Sequence, residues 1–151
     1  MDPFSITTGV AALIGLCVGV VQTIKSFIEK TKSTKDVLVR LLNRTERVRL
    51  YLEHLRSLSS KLTSSSHRSI ALPFKQEECK ATMRNLFGLI RTMVDASTKG
   101  KLQAAMALLR EQKQIDNLTH QLTDHEQNIF SVLMLIATSA VSLDSIKSCH
   151  N

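Results

Sequence analysis

An all-α fold, an up-down bundle of about four long helices with a hydrophobic first helix, is what this sequence predicts. Three observations carry the prediction. Apolar residues recur in alternating steps of three and four over three long stretches, and nowhere alternate with period two for the length of a strand. Only five Gly and two Pro interrupt 151 residues, too few for the turn that a β-sandwich needs about every ten residues. Apolar residues make up 43% of the chain, enough to bury a core and to exclude a disordered chain. One domain is expected over residues 1–141, with 142–151 as a frayed C-terminal tail.

The first element is the stretch from Pro3 to Ile24, which holds no charged residue and is bracketed by Asp2 and Lys25. As a helix it spans about 33 Å, near the thickness of a bilayer core. Asp2 before Pro3 fits an N-cap followed by proline at the first helical position. The start carries no basic residue, so a secretory signal is not expected. Ser5, Thr7, Thr8, Gly9, Gly15 and Gly19 dilute the hydrophobicity, and two readings stay open. In one, Phe4, Ile6, Val10, Leu13, Ile14, Leu16, Val18, Val20, Val21 and Ile24 insert into a membrane. In the other, the helix is buried in the bundle. Gly15-x-x-x-Gly19 allows close approach of a second helix.

The second helix is expected from Ser33-Thr34-Lys35-Asp36, a capping-box pattern with Asp in place of Glu. Its stripe of Leu38, Leu41, Thr45, Val48, Leu52, Leu55, Ser59 and Leu62 is a heptad seam. Arg40, Arg44, Arg47 and Lys61 lie off that seam, and residues 63–69 read as a polar loop. Pro73 opens the third helix, with a seam of Cys79, Met83, Leu86, Ile90, Met93 and Ser97, and Gly100 closes it. The last segment runs from Lys101 to about Ala140. Leu118, Leu122, His125, Ile129, Val132 and Ile136 form its seam. Upstream, Leu102, Ala105 and Leu109 form a stripe that loses register near Gln112, and Thr123-x-x-Glu126 marks a candidate break.

Eleven of the 20 basic residues but only four of the 13 acidic ones fall between Lys25 and Arg68, so that segment carries the whole net charge of +7. Such a field attracts anionic lipid, nucleic acid or acidic protein. Lys25, Lys30, Lys32, Lys35, Arg40 and Arg44 are the candidates for contact with anionic lipid. Tyr51 is the lone tyrosine, and no aromatic platform interleaves the arginines, which argues against nucleic acid.

No phosphate-cradling glycine loop and no nucleophile elbow occurs. His120 and His125 are five residues apart and do not share a helix face as metal ligands would. His125 falls on the seam and reads as a hydrogen-bonded core residue, and Cys79 as a packing thiol. No enzyme activity, metal or cofactor is expected. Three distant cysteines (Cys17, Cys79, Cys149) make a poor disulfide framework and point to a reducing, cytoplasmic setting.

The opening residues Met1, Asp2, Pro3, Ser5 and Ile6, followed by Val10, Ala11, Ala12 and Leu13, resemble the start of the HeLo-like N-terminal domains of fungal STAND (NLR-like) proteins. Phe4 stands where Leu is usual. A second resemblance lies in residues 107–111, through Ile115, Leu118 and Leu122, to the apolar segment Ile129 to Ala137. The resemblance implies an effector bundle of an immune-type receptor. It would oligomerise, expose its N-terminal helix and target the plasma membrane, with basic residues docking on anionic lipids. The chain lacks the nucleotide-binding module and repeats of those receptors, so it is expected to be an excised domain or a stand-alone member. The alternative is a homotypic or heterotypic protein-interaction bundle whose first helix is ordinary core.

Overall fold

The computed structural model describes residues 3–32, 35–59 and 74–149, with side chains described within 8–138. Four helices follow one another: α1 (Pro3–Thr31), α2 (Asp36–Ser59), α3 (Gln76–Ser97) and α4 (Lys101–Cys149). No strand occurs among the described residues. The all-α bundle that the periodicity predicts is the fold.

Helices α1 and α2 form one antiparallel hairpin, and α3 and α4 form another. Lys75 N donates to Asn128 Oδ1, and Thr82 meets Gln121, so α3 and α4 run in opposite directions. The hairpins stack with like directions side by side. Cys17 touches Met83 and Gly19 faces Phe87, which sets α1 parallel to α3. Arg44 reaches Glu126 and Tyr51 meets Phe130, which sets α2 parallel to α4. The close-packed pairs are α1 with α2 and α3, and α4 with α2 and α3. The link from α2 to α3 therefore joins diagonal corners, and its 16 residues, 60–75, exceed either hairpin turn.

Each seam meets the core largely as its spacing demands. Leu38, Leu41, Thr45, Val48, Leu52, Leu55 and Ser59 of α2 are buried, with Val37 added. Thr45 satisfies its hydroxyl on the Leu41 carbonyl at 2.8 Å, which lets a polar side chain occupy the seam. In α3, Cys79, Met83, Leu86, Ile90 and Met93 are buried with Thr82, while Ser97 is half-buried. In α4, Leu118, Leu122, His125, Ile129, Val132 and Ile136 are buried. Leu62 lies outside the described residues, as do Lys61 and Pro73.

Four local expectations change. Helix α2 begins at Asp36, with the Lys35 carbonyl accepting from Leu38 and Val39, so Asp36 is the first helical residue and not the third that a capping box requires. Helix α3 begins at Gln76, and its N-cap residue Lys75 makes no side-chain cap. Helix α4 is unbroken over 49 residues, about 73 Å long. It passes through 123–126 because Thr123 bonds back to the Thr119 carbonyl and Glu126 turns to α2 instead of capping. The helix is continuous as far as Cys149.

The fourth change is the register of early α4. Leu102 is 69% and Leu109 62% exposed, whereas Ala104, Ala107, Leu108 and Ile115 are buried. The true seam is 104, 108, 111, 115 and 118, which joins the downstream seam without a slip. Glu111 is its polar member, which hides the continuity from an apolar count. The turn between α3 and α4 closes at Gly100 as expected. Its φ of 132° suits only glycine, and the amides of Thr98 and Lys99 bond back to the end of α3.

Candidate functional site

The candidate membrane helix is core in this conformation. Val10, Leu13, Val20, Val21 and Ile24 are buried, together with Cys17 and Phe27. Ile14 and Leu16 are half-buried, and Val18 is exposed. The side chains of Phe4 and Ile6 lie outside those described. Gly19 gives close approach, since a Cβ there would meet the Phe87 ring at 3.2 Å, but Gly15 faces open space. The Gly-x-x-x-Gly pattern is thus half used, and Gly9, against Gln76, supplies the other close approach.

The outward face of α1 carries Thr8, Ala12, Gly15, Val18 and Gln22, all uncharged. Thr8–Thr31 is long and apolar enough to cross a membrane by length and composition. Seven apolar α1 side chains are 5% exposed or less. At about 1.5–3 kcal/mol per large apolar side chain withdrawn from water, exposing them costs on the order of 10–20 kcal/mol, comparable with a domain's whole stability. The helix does not leave an intact bundle in water by thermal fluctuation.

Lys25, Lys30, Lys32, Lys35 and Arg40 are exposed and make no ion pair among the described residues. The hairpin arrangement puts the α1–α2 and α3–α4 turns at one end of the bundle. Lys99 and Lys101, in a segment that is charge-balanced in sequence, join Lys30, Lys32 and Lys35 there. Only the stacking of the hairpins gathers them, so no linear pattern could have singled them out.

Other basic residues are already engaged. Glu126, with its side chain 8% exposed, receives Arg44 Nη1 on one oxygen at 3.0 Å and Arg47 Nη2 on the other at 2.8 Å. Arg44 is therefore an α2–α4 clasp, not a free cation. Arg49 pairs with Glu46 at 2.8 Å and Glu53 at 2.7 Å, and the Glu46 hydrogen bond holds its guanidinium above the ordinary arginine value.

His125 is buried between α3 and α4. Its Nε2 lies 2.8 Å from Thr82 Oγ1, which is itself 3.1 Å from both the Glu78 carbonyl and Gln121 Oε1. With the ring N–H donating to the hydroxyl, the single hydroxyl proton serves one of these two acceptors, the Glu78 carbonyl or Gln121 Oε1. Burial holds the imidazole below its ordinary value, against an upward pull from Glu78 and Asp124. His120 lies in the groove on the other side of α4, facing α2. Among the described residues no group of three His, Cys, Asp or Glu could hold a metal. Burial pushes the Cys79 thiol up to about 12 and Cys17 higher still, which withholds the reactive thiolate.

No family model matches the chain, and neither a curated protein nor a solved structure shows significant similarity to it.

Proposed function

We propose that this chain is a HeLo-like effector and signalling bundle of a fungal immune-type receptor. It acts by oligomerising and by delivering α1 to the plasma membrane from the cytoplasm in a cell-death-type response. The observation that carries the reading is α1 itself. It is a membrane-length apolar helix packed against α2 and α3, uncharged on its outer face from Thr8 to Gln22, and followed at once by lysines that make no ion pair among the described residues. Burial in lipid offsets the cost of unsheathing it. Attraction of each nearby lysine to anionic headgroups adds about 1 kcal/mol. The sheathed state keeps the protein soluble until a trigger or an assembly lowers that cost.

Because α1 is core, deleting it would unfold the bundle and test nothing. A reversible lock separates the two effects. Gly9 and Gln76 face each other across α1 and α3, so Gly9→Cys with Gln76→Cys pins the helix when oxidised. Flotation with phosphatidylserine liposomes at high salt should be lost in the oxidised protein and regained on reduction, at equal helicity. Equal flotation of locked and reduced protein refutes delivery of α1.

A second reading has its own support. Leu102, Met106 and Leu109 of α4 are 60–69% exposed on one face, an apolar surface suited to a protein partner or a second copy. In that reading α1 stays in the core and the chain is a homotypic or heterotypic interaction module. Saturable self-association that survives the α1 lock, without flotation, would favour it.

A further inference from the structure

The groove between α2 and α4 joins two of the anionic-lipid candidates, Arg40 and Arg44, to residues that the membrane reading does not use. Helix α2 lines it with Arg40, Asn43, Arg44 and Arg47, at spacings that place all four on one helix face. Helix α4 lines the opposite wall at the same spacing with Asp116, Thr119, His120 and Thr123. The groove, open to solvent along one side, has a volume of about 540 Å³, within the range of small-molecule sites.

Three guanidiniums face two carboxylates, those of Asp116 in the wall and Glu126 at one end. The groove is thus net cationic. Glu126 is nearly buried and grips one terminal nitrogen of Arg44 and one of Arg47. Each planar guanidinium has five N–H donors, so both keep donors free while their positions are set. Arg40 makes no ion pair among the described residues and is the uncommitted cation. Thr119 and Thr123 spend their hydroxyl protons on the Ile115 and Thr119 carbonyls. They offer only lone pairs, suited to a ligand's own hydroxyls. Arginine donors on one wall with hydroxyl acceptors and an imidazole on the other match a phosphorylated polyol. The phosphate takes the arginine forks, and the ring hydroxyls meet Thr119, Thr123 and Asp116.

We propose that the α2–α4 groove is a binding site for a phosphomonoester carried on a small polyhydroxylated ring, free or as a lipid headgroup, with Arg40 and Arg47 as its principal contacts. Glu126 is the positioning residue that holds Arg44 and Arg47. The site exists in the folded bundle with α1 packed, so it stands independently of delivery of α1.

The test is calorimetric titration of the whole chain with inositol 1,4,5-trisphosphate at physiological salt, with inorganic phosphate as the second probe. Arg40→Gln and Arg47→Gln should each weaken trisphosphate binding at least tenfold. Arg84→Gln, an exposed α3 arginine outside the groove, removes the same charge and should weaken it less than twofold. The oxidised Gly9→Cys/Gln76→Cys protein should bind as well as the unaltered chain, whatever its flotation. Liposomes with phosphatidylinositol 4,5-bisphosphate distinguish the sources. Flotation competed by soluble trisphosphate assigns a lipid headgroup, and binding of the soluble ligand alone assigns a free metabolite. No heat at millimolar trisphosphate, equal loss in Arg40→Gln and Arg84→Gln, or inorganic phosphate binding as tightly as the trisphosphate would each overturn the site.

Discussion

Two adjacent leucines in α4 test the packing register directly. Leu108 is 2% exposed and Leu109 62%, so the same truncation at neighbouring positions should have opposite consequences. Leu108→Ala removes a buried isobutyl group beside Ala104 and Ala107, whose small side chains cannot move in to fill the space. Buried Leu→Ala changes cost about 2–5 kcal/mol. Leu108 lies two turns from the start of α4, where the end of the bundle relaxes most readily, so the lower half of that range, about 2–3 kcal/mol, is expected. At about 2–4 °C per kcal/mol for a chain of this size, Tm falls by roughly 4–12 °C. Leu109→Ala deletes mostly solvated surface and should stay within about 0.5 kcal/mol. Urea unfolding followed by far-ultraviolet circular dichroism measures both, with equal slopes confirming a common unfolding reaction. A larger loss for Leu109→Ala than for Leu108→Ala would refute the register. It would restore the stripe of Leu102, Ala105 and Leu109 that apolar spacing alone suggests.

Two other outcomes follow from the α4 contacts. Glu126→Gln leaves Arg44 and Arg47 facing each other without their shared carboxylate. Because the arginine side chains are 35% and 54% exposed, solvent screens the repulsion, and a loss of about 1–2 kcal/mol is expected, below the cost of a fully buried broken pair. A double-mutant cycle with Arg47→Gln measures it, and zero coupling would reject the clasp. His125 is held below its ordinary imidazole value by burial, so the unfolded chain takes up its proton first as pH falls. The stabilisation is complete above about pH 6.5 and is lost as pH drops from there through the lower folded value. Urea midpoints at pH 7.5, 6.5 and 5.5 should decline, and His125→Asn should flatten that decline. An unchanged slope in the variant would assign the acid sensitivity elsewhere.

The seams of α2 and α3 were legible because their polar members are small. Thr45 and Ser59 fit a buried stripe, Thr45 by bonding to its own helix. His125 was legible as a seam residue that finds a hydrogen bond. Early α4 misled because Glu111 occupies a seam position while Leu102, Met106 and Leu109 are large, apolar and outward. Apolarity marks burial only statistically, and exposed leucines are common. The capping signals misled for a related reason. Thr123 and Glu126 fit a helix start by residue type, but unbroken backbone hydrogen bonding and two arginines on α2 offered more.

Periodicity within each helix settles on its own that this chain makes four helices and, for most of them, which face is inward. A stripe at 3.6-residue spacing must be covered, whatever covers it. The identity of the cover is a different matter. The sequence could not place Arg44 and Arg47 on Glu126, send α1 into the core against α2 and α3, or bring Lys99 and Lys101 to the end that holds Lys30, Lys32 and Lys35. Those facts depend on contacts between residues far apart in the chain, which the choice among near-equivalent ways of stacking two hairpins decides. The charge of the α2–α4 groove and the sheathing of α1 both follow from that choice.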